Sequence, residues 1–569
     1  MLDLNPKNRN FGGTLAAIVL CVVVVSPPAL AESGHVLNFQ DAKSWTFFNG
    51  AWTDGPNGML QVPKSVLRQD GPAMQGHHYA FFKPAAYQDF HAQFEIRLMA
   101  HSDVGLIFRA ASAGQFYVLH FPNCGQASRA QHFWAALSRM DEDGYLRIAK
   151  LGLVNRIPSN LGIWTGVDAV IRGDHVLVRI GDEGVFEATD TRYAGPGRVG
   201  VYIFGDANIR NVRIDGAAIP GIALDETKQP RRTWFYPTGE TANAEWQRPG
   251  QIVRTPNGGL LLNYTISAKS KLTPMELRST DNGRTWSHPY PIAGLKPGEW
   301  EGGGIIHVFP DGKLRMLRKD DSGYALSETA DDGRTWSQPR SVRLGPNPPG
   351  VKKVALGPQA FLNLRDGSVV MFGYGSHDST LVGANIWQWG AIHSQAFACR
   401  STDNGRTWSD WANIDNPGLT HVTTGEQIGG NLDLTEICGV QTGVGKILAF
   451  VRPIYSPWMW EASSADGGRT WGPVRRGPFP GYAAPNMLRT HSGAILVAHR
   501  MPGLTINTSL DDGRTFDEGT IIDSGLWAMG SMIEIEPNLV LYIYWDSFES
   551  LMREQLIRVT PTGIVPLSH

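Results

Sequence analysis

The first half of the chain is written in twos. From Phe90 to Leu98 (FHAQFEIRL) apolar residues take the even positions and polar residues the odd ones, the period of a strand with one face buried and one wet. The same alternation marks Val104–Phe108, Phe116–Phe121, Val176–Ile180 and Val199–Phe204, with Gly, Asp and Asn turns between them. No helical period competes. The pattern predicts a β-sandwich (jelly roll) over 35–218. Trp45, Trp52, Trp134 and Trp164 are available in it to stack on sugars, although packing in the core is the favoured role for each.

The second half carries a repeat. Five segments share one pattern: 279–286 reads STDNGRTW, 329–336 TADDGRTW, 401–408 STDNGRTW, 464–471 SADGGRTW and 509–516 SLDDGRTF. Such a segment is a tight turn: the Asp carboxylate accepts from backbone N–H groups, Gly takes positive φ, and the closing aromatic packs beneath a sheet. The repeats resemble the Asp boxes of sialidases and related proteins. That resemblance implies a propeller from about Trp234 to Pro566, with the boxes on the rim away from the active site, so their Asp residues have a structural role. The sandwich is similar in pattern to the concanavalin and laminin-G jelly rolls that accompany glycosidases.

Blade number follows from a second repeat. A pair of strands around a turn precedes each box and recurs once after the last: Pro249–Tyr264, Gly302–Arg318, Pro358–Tyr374, Ile437–Arg452, Ala483–Arg500 and Met529–Trp545. Six pairs predict six blades over 230–569, the last without a box and closing with Gln555–Val559. The fold class is therefore all-β: an N-terminal β-sandwich followed by a six-bladed β-propeller.

Composition changes this picture little. A chain of 569 residues exceeds one core and calls for at least two domains. A net charge of −2 argues against nucleic acid or an anionic membrane as partner. At the N-terminus, Lys7 and Arg9 precede the apolar run Leu15–Val25, with small residues at Ala29 and Ala31 before Glu32. That run is too short for a bilayer, which needs roughly 20 residues, so 1–31 reads as a cleaved signal peptide and the protein as secreted or periplasmic. Cys124, Cys399 and Cys438 then remain, too few for a disulfide framework and without metal-ligand spacing. Cys399 and Cys438 are expected as buried thiols in strands. No motif calls for a metal or another cofactor.

In a propeller, the starts of the inner strands and the ends of their partners meet at one funnel. Strand starts supply Arg248, Glu301, Glu436 and Tyr482; strand ends supply Arg318, His377, Asp378, Arg452, Arg500 and Asp546. The sialidase resemblance sharpens the assignment. It implies three arginines holding a substrate carboxylate, a Tyr nucleophile activated by Glu, and an Asp proton donor. Arg248 stands where the first arginine opens the first blade, in a degraded motif (QRPGQIV from 247). Glu436 precedes Arg452 by the expected sixteen residues, and Arg500 stands for the third arginine. Two features depart from the pattern. The first-blade loop 263–271 has no acid, and no Tyr lies near Met529–Ser531, where Tyr542 and Tyr544 come only later.

Three functions are consistent with this set. The first is an exo-glycosidase removing a terminal acidic sugar, sialic or uronic, from an oligo- or polysaccharide, with Glu436 and Glu301 sharing the acid–base work. The second is a lyase acting on a uronate, with arginines neutralising its carboxylate. The third is a glycan-binding propeller without catalysis. Arg248, Arg452 and Arg500 are expected to converge on one anionic group beside Glu436, because a planar guanidinium meets a carboxylate with two parallel hydrogen bonds.

Overall fold

The computed structural model describes residues 34–48, 53–54, 60–61, 78–98, 102–122, 133–142, 144, 146–155, 162–181, 184–204, 207–228, 246–268, 271–295, 304–320, 323–349, 351–377, 394–414, 434–453, 458–500, 503–523, 530–546 and 551–567. The signal-peptide expectation falls outside these residues, as do Trp52, Cys124, Glu301 and Asp378. Apart from one 3₁₀ turn at Ala42–Ser44, every regular element described is a strand.

In the first half, two antiparallel sheets share a core. Phe90–Leu98 lies inside one of them, between Thr165–Arg172 and Ala207–Gly216. Its even residues are buried and its odd ones partly or fully exposed. Phe94, Ile96 and Leu98 meet Val104, Leu106 and Phe108 of the other sheet, the alternation doing what its period requires. That second sheet departs from the expected single wet face. Asp103–Ser112 is buried almost throughout: on its outer side Ile107 and Ala110 join a second apolar cluster with Tyr79, Phe81, Phe116, Val118 and Tyr202 of the same sheet. Of the tryptophans, Trp45 is a core residue; Trp164 lies against the guanidinium of Arg210, 4.1 Å from the ring centroid.

The second half forms six four-stranded antiparallel units in chain order, five of them separate sheets and the fifth part of a larger sheet; each is called a sheet below. Their inner two strands are Trp246–Arg254 and Leu260–Ala268; Ile305–Val308 and Leu314–Asp320; Val351–Asn363 and Val369–His377; Leu434–Gly443 and Lys446–Pro453; Tyr482–Arg489 and Ile495–Arg500; Gly530–Glu536 and Leu539–Asp546. Each expected strand pair is one of these. The innermost strands pack on one another in succession, and the sixth packs on the first.

The boxes are the joints of that order. In the first, Ser279 Oγ receives the Gly283 N–H at 2.8 Å, and Asp281 accepts from the Thr285 N–H at 2.9 Å and its hydroxyl at 2.6 Å. The other four repeat this pattern around Asp331, Asp403, Asp466 and Asp511. The box glycines have φ between 84° and 88°, which favours Gly. A Cβ on Gly333, Gly405, Gly468 or Gly513 would strike Leu261, Phe309, Val370 or Leu448 of the preceding sheet, and one on Gly283 would strike Leu541 of the sixth. Each box is pressed onto the sheet before it.

One sheet crosses from half to half. Leu146–Asn155 of the first half pairs with Thr520–Asp523, the outermost strand of the fifth sheet, joining Leu146 to Ile521 and Arg147 to Thr520. Eleven strands run continuously through both halves. Beside the junction the buried Arg139 bonds Asp141 and Asp190, each at 2.8 Å, and Glu518. Cys399 and Cys438 are free and buried, as expected. No helix among the described residues is long and apolar enough to cross a membrane.

Candidate functional site

The antiparallel order sorts chemistry to one end of the six sheets. Boxes join third to fourth strands, so they share an end with the first hairpin turns. Starts of first strands and ends of second strands lie at the opposite end, where Arg248, Glu436, Tyr482, Arg318, His377, Arg452, Arg500 and Asp546 stand.

Two of these residues touch. Arg452 donates from Nη1 to Glu436 Oε2 at 2.8 Å, and both side chains are largely shielded. They come from neighbouring strands of the fourth sheet, where Thr435 pairs with Arg452 and Ile437 with Val451. Glu436 is thus the extra residue of a β-bulge, and its φ is +26°. A bulge re-aims a side chain, and a non-glycine residue held in this region stores strain, a combination that clusters at functional sites.

A residue the sequence reading passed over completes the group. Tyr374, near the end of the third sheet's second strand, has its hydroxyl pushed up, first by burial and then by the charge of Glu436. The positive charges of Arg452 and Arg248 pull it back. Glu436 and Arg452 of the fourth sheet and Arg248 of the first thus all act on Tyr374 of the third. The signal was present in the register. Tyr374 follows Gly367 of its hairpin turn by seven residues, as Arg452 follows Gly445 and Arg500 follows Gly493.

The remaining residues are placed as follows. Arg500 is buried at 4% exposure, and its charge acts on Tyr542 of the sixth sheet. Arg318 donates to the Gly294 carbonyl at 2.8 Å. His377, Tyr482 and Asp546 occupy strand ends or starts at the same end of their sheets; their side chains, with Glu301 and Asp378, lie outside the described residues. Tyr542 and Tyr544 are closed to solvent, and Tyr544 donates to the buried Asp523 at 2.6 Å. Neither serves as an exposed nucleophile. Among the described residues no group of His, Cys, Asp and Glu is arranged to hold a metal ion.

Comparison with known proteins agrees with the repeat. Residues 310–536 match the family model of the BNR repeat-like domain, a span that takes in four of the five boxes. The resemblance first carried by those boxes holds there. No curated protein matches the chain. Among solved structures, the Hadza microbial sialidase Hz136 is similar at 15% identity, over 87% of this chain and 97% of that one, with a TM-score of 0.46. The sialidase of Trypanosoma rangeli is 15% identical over 59% of this chain and 56% of its own, with a TM-score of 0.39. A protein of unknown function from Dyadobacter fermentans is 13% identical over 56% and 96%, with a TM-score of 0.43.

Proposed function

We propose that the chain is a carbohydrate-active enzyme, an exo-glycosidase that removes a terminal acidic sugar from an oligo- or polysaccharide, with its site at the end of a closed six-bladed propeller. The observation that carries this reading is the juxtaposition of Tyr374 with Glu436, Arg452 and Arg248. In this reading Arg248 and Arg452 hold the substrate carboxylate. Glu436 takes the Tyr374 proton as the phenolate oxygen attacks the anomeric carbon, so a buried hydroxyl becomes a nucleophile through an adjacent base. The leaving oxygen takes its proton from Glu301, Asp378 or His377, and water then releases the sugar. Arg500 and Arg318 stand at the same end of their sheets. Residues 1–31 direct export, and the propeller begins near residue 230 after a sandwich over 35–218.

One observation favours a second reading. The stretch 263–271 contains no carboxylic acid, and β-elimination from a uronate does not need one there: with its own proton passed to Glu436, Tyr374 takes the C5 proton and returns it to the leaving oxygen as the C4–O bond breaks, while two arginines face the carboxylate. Incubation with sialosides and uronate polysaccharides, with products weighed by mass spectrometry, separates the two. Released sugar one water heavier than its bound residue supports hydrolysis. Unsaturated ends absorbing in the near ultraviolet support elimination. Binding without product in every case removes the enzymatic reading.

A further inference from the structure

Guanidinium groups cross three of the six seams at the end of the sheets that carries the boxes. Arg278, just before the first box, reaches across the seam to the Asp332 carbonyl of the second at 2.7 Å. Arg400, just before the third, reaches the Gly467 carbonyl of the fourth at 2.9 Å. Arg254 closes the seam between the sixth sheet and the first, bonding Asn282 at 3.0 Å and the Ile535 carbonyl at 3.1 Å. Between the fourth and fifth sheets the corresponding position is Ser463, whose side chain is too short to cross. A cleft of about 550 Å³ lies there, between the fourth and fifth boxes.

Its lining suits a charged sugar chain. Trp471, half-buried, offers an indole against which a pyranose ring can pack. Arg475 is held by the buried Glu461, at 2.5 Å from Nε, while its side chain stays largely exposed. Lys446 and Arg514 also line the cleft and are exposed, with no carboxylate partner among the described residues. Asp512 is occupied by Arg489 at 3.0 Å. The lining therefore presents an excess of positive charge beside an aromatic surface and exposed hydroxyls.

We propose that this cleft is a second glycan-binding site, taking an internal stretch of an anionic polysaccharide on the side of the molecule away from Tyr374 and Glu436. Its acidic groups meet Lys446 and Arg514, and its hydroxyls meet the Glu461–Arg475 pair. The choice of a glycan rests in part on the proposed function; the cleft and its charge do not. A second site of this kind keeps a polymer on the enzyme between turnovers, raising effective concentration without entering the chemistry.

The test is oligosaccharide binding by calorimetry to the full-length Glu436→Gln protein, in which turnover is suppressed, using oligouronates in one arm and sulfated oligosaccharides in the other. Each ligand is compared with a variant that also carries Lys446→Glu and Arg514→Glu, and with one that also carries Ser463→Arg. The expected result is binding by the parent in at least one arm, identifying the acidic group, and weakening by at least about tenfold in both variants. Ser463→Arg is expected to raise the melting temperature as well, because it restores the missing seam contact to the fifth box. Affinity unchanged in both variants, or no binding in either arm, overturns the proposal. Hydrolysis of a small soluble substrate by protein with only the cleft substitutions should stay at the parental rate. A loss there together with unchanged binding would point instead to damage at the first site.

Discussion

At the scale of single residues, the proposed mechanism rests on a phenol that does not ionise alone. Burial holds the Tyr374 proton on, and Glu436 raises the hydroxyl further while it remains charged. The same carboxylate is then the acceptor that removes the proton when the phenol reacts. Tyr374→Phe should lower kcat by about a thousandfold, within the range for loss of a positioned acid–base or nucleophilic group, with folding unchanged by circular dichroism. Arg452→Lys tests the clamp. Lysine keeps the charge but loses the fork that bonds Glu436 and a substrate carboxylate together, so kcat/KM for an acidic substrate should fall by about tenfold or more while a neutral analogue is unaffected. Equal losses for both substrates would remove the clamp from the mechanism. Arg452 and Glu436 were legible from their spacing because the pair spans one hairpin. Tyr374 was not: it is recognised by register, counted from Gly367, and a phenol at the end of an apolar strand looks like core until its neighbours from two other sheets are in place.

At the scale of elements, the Asp box is the clearest case of local sequence dictating local structure. Everything it needs lies within eight residues: an Oγ for the Gly N–H, a carboxylate for the Thr N–H and hydroxyl, and a glycine at positive φ. It was therefore readable without tertiary information. Asp403→Ala should cost about 1 kcal/mol in chemical denaturation and leave kcat intact; normal stability with lost activity would contradict the structural role. These hydrogen bonds favour the charged carboxylate and hold Asp281, Asp331, Asp466 and Asp511 down to about 2. A depressed carboxylate stabilises above its ordinary value near 4 and loses that contribution as pH falls towards 2. Melting temperature should therefore drop over that interval, and Asp→Asn in a box should flatten the drop. The two-sided burial of Asp103–Ser112 was not legible, because alternation reports one buried face and the second apolar cluster forms only when strands of the same sheet, among them those of Tyr79 and Tyr202, come together.

At the scale of the molecule, the first and sixth sheets share an apolar core that includes Ile252, Leu262, Leu541 and Ile543. The sixth sheet is built wholly from the C-terminal stretch 530–567, so no strand is exchanged with the first, and the seam relies on side chains. Trp286 of the first box donates to Glu554 of the sixth sheet at 3.1 Å. Burial pushes that carboxyl up to about 7, against the weaker pull of the indole N–H. A raised acid prefers its proton in the folded state. The stability it contributes is complete below the ordinary Glu value and is lost as pH rises from there through about 7. The interval from 4.5 to 7 corresponds to an upper bound on the order of 3 kcal/mol. Glu554→Gln should thus raise the melting temperature at pH 8 and change it little at pH 4; equal shifts at both would remove Glu554 from the pH response. Arg139 ties the two halves together: Arg139→Ala leaves the partly exposed Asp141, Asp190 and Glu518 without their shared partner and should cost about 1.5–3 kcal/mol, the loss expected for hydrogen bonds to charged groups.

The pairing of Leu146–Asn155 with Thr520–Asp523 also bears on how the protein can be handled. Cutting the chain between the halves, near residue 230, would leave each fragment with a newly bared stretch of strand edge two residues long, next to the apolar patch around Ile521 on one side and Leu146 on the other. Bare edges of this kind seek any strand that will pair with them. Either half expressed alone should self-associate or precipitate, whereas the two coexpressed as separate chains should find each other and copurify. Fragments that stay monomeric and soluble apart would mean that the shared sheet is dispensable to both.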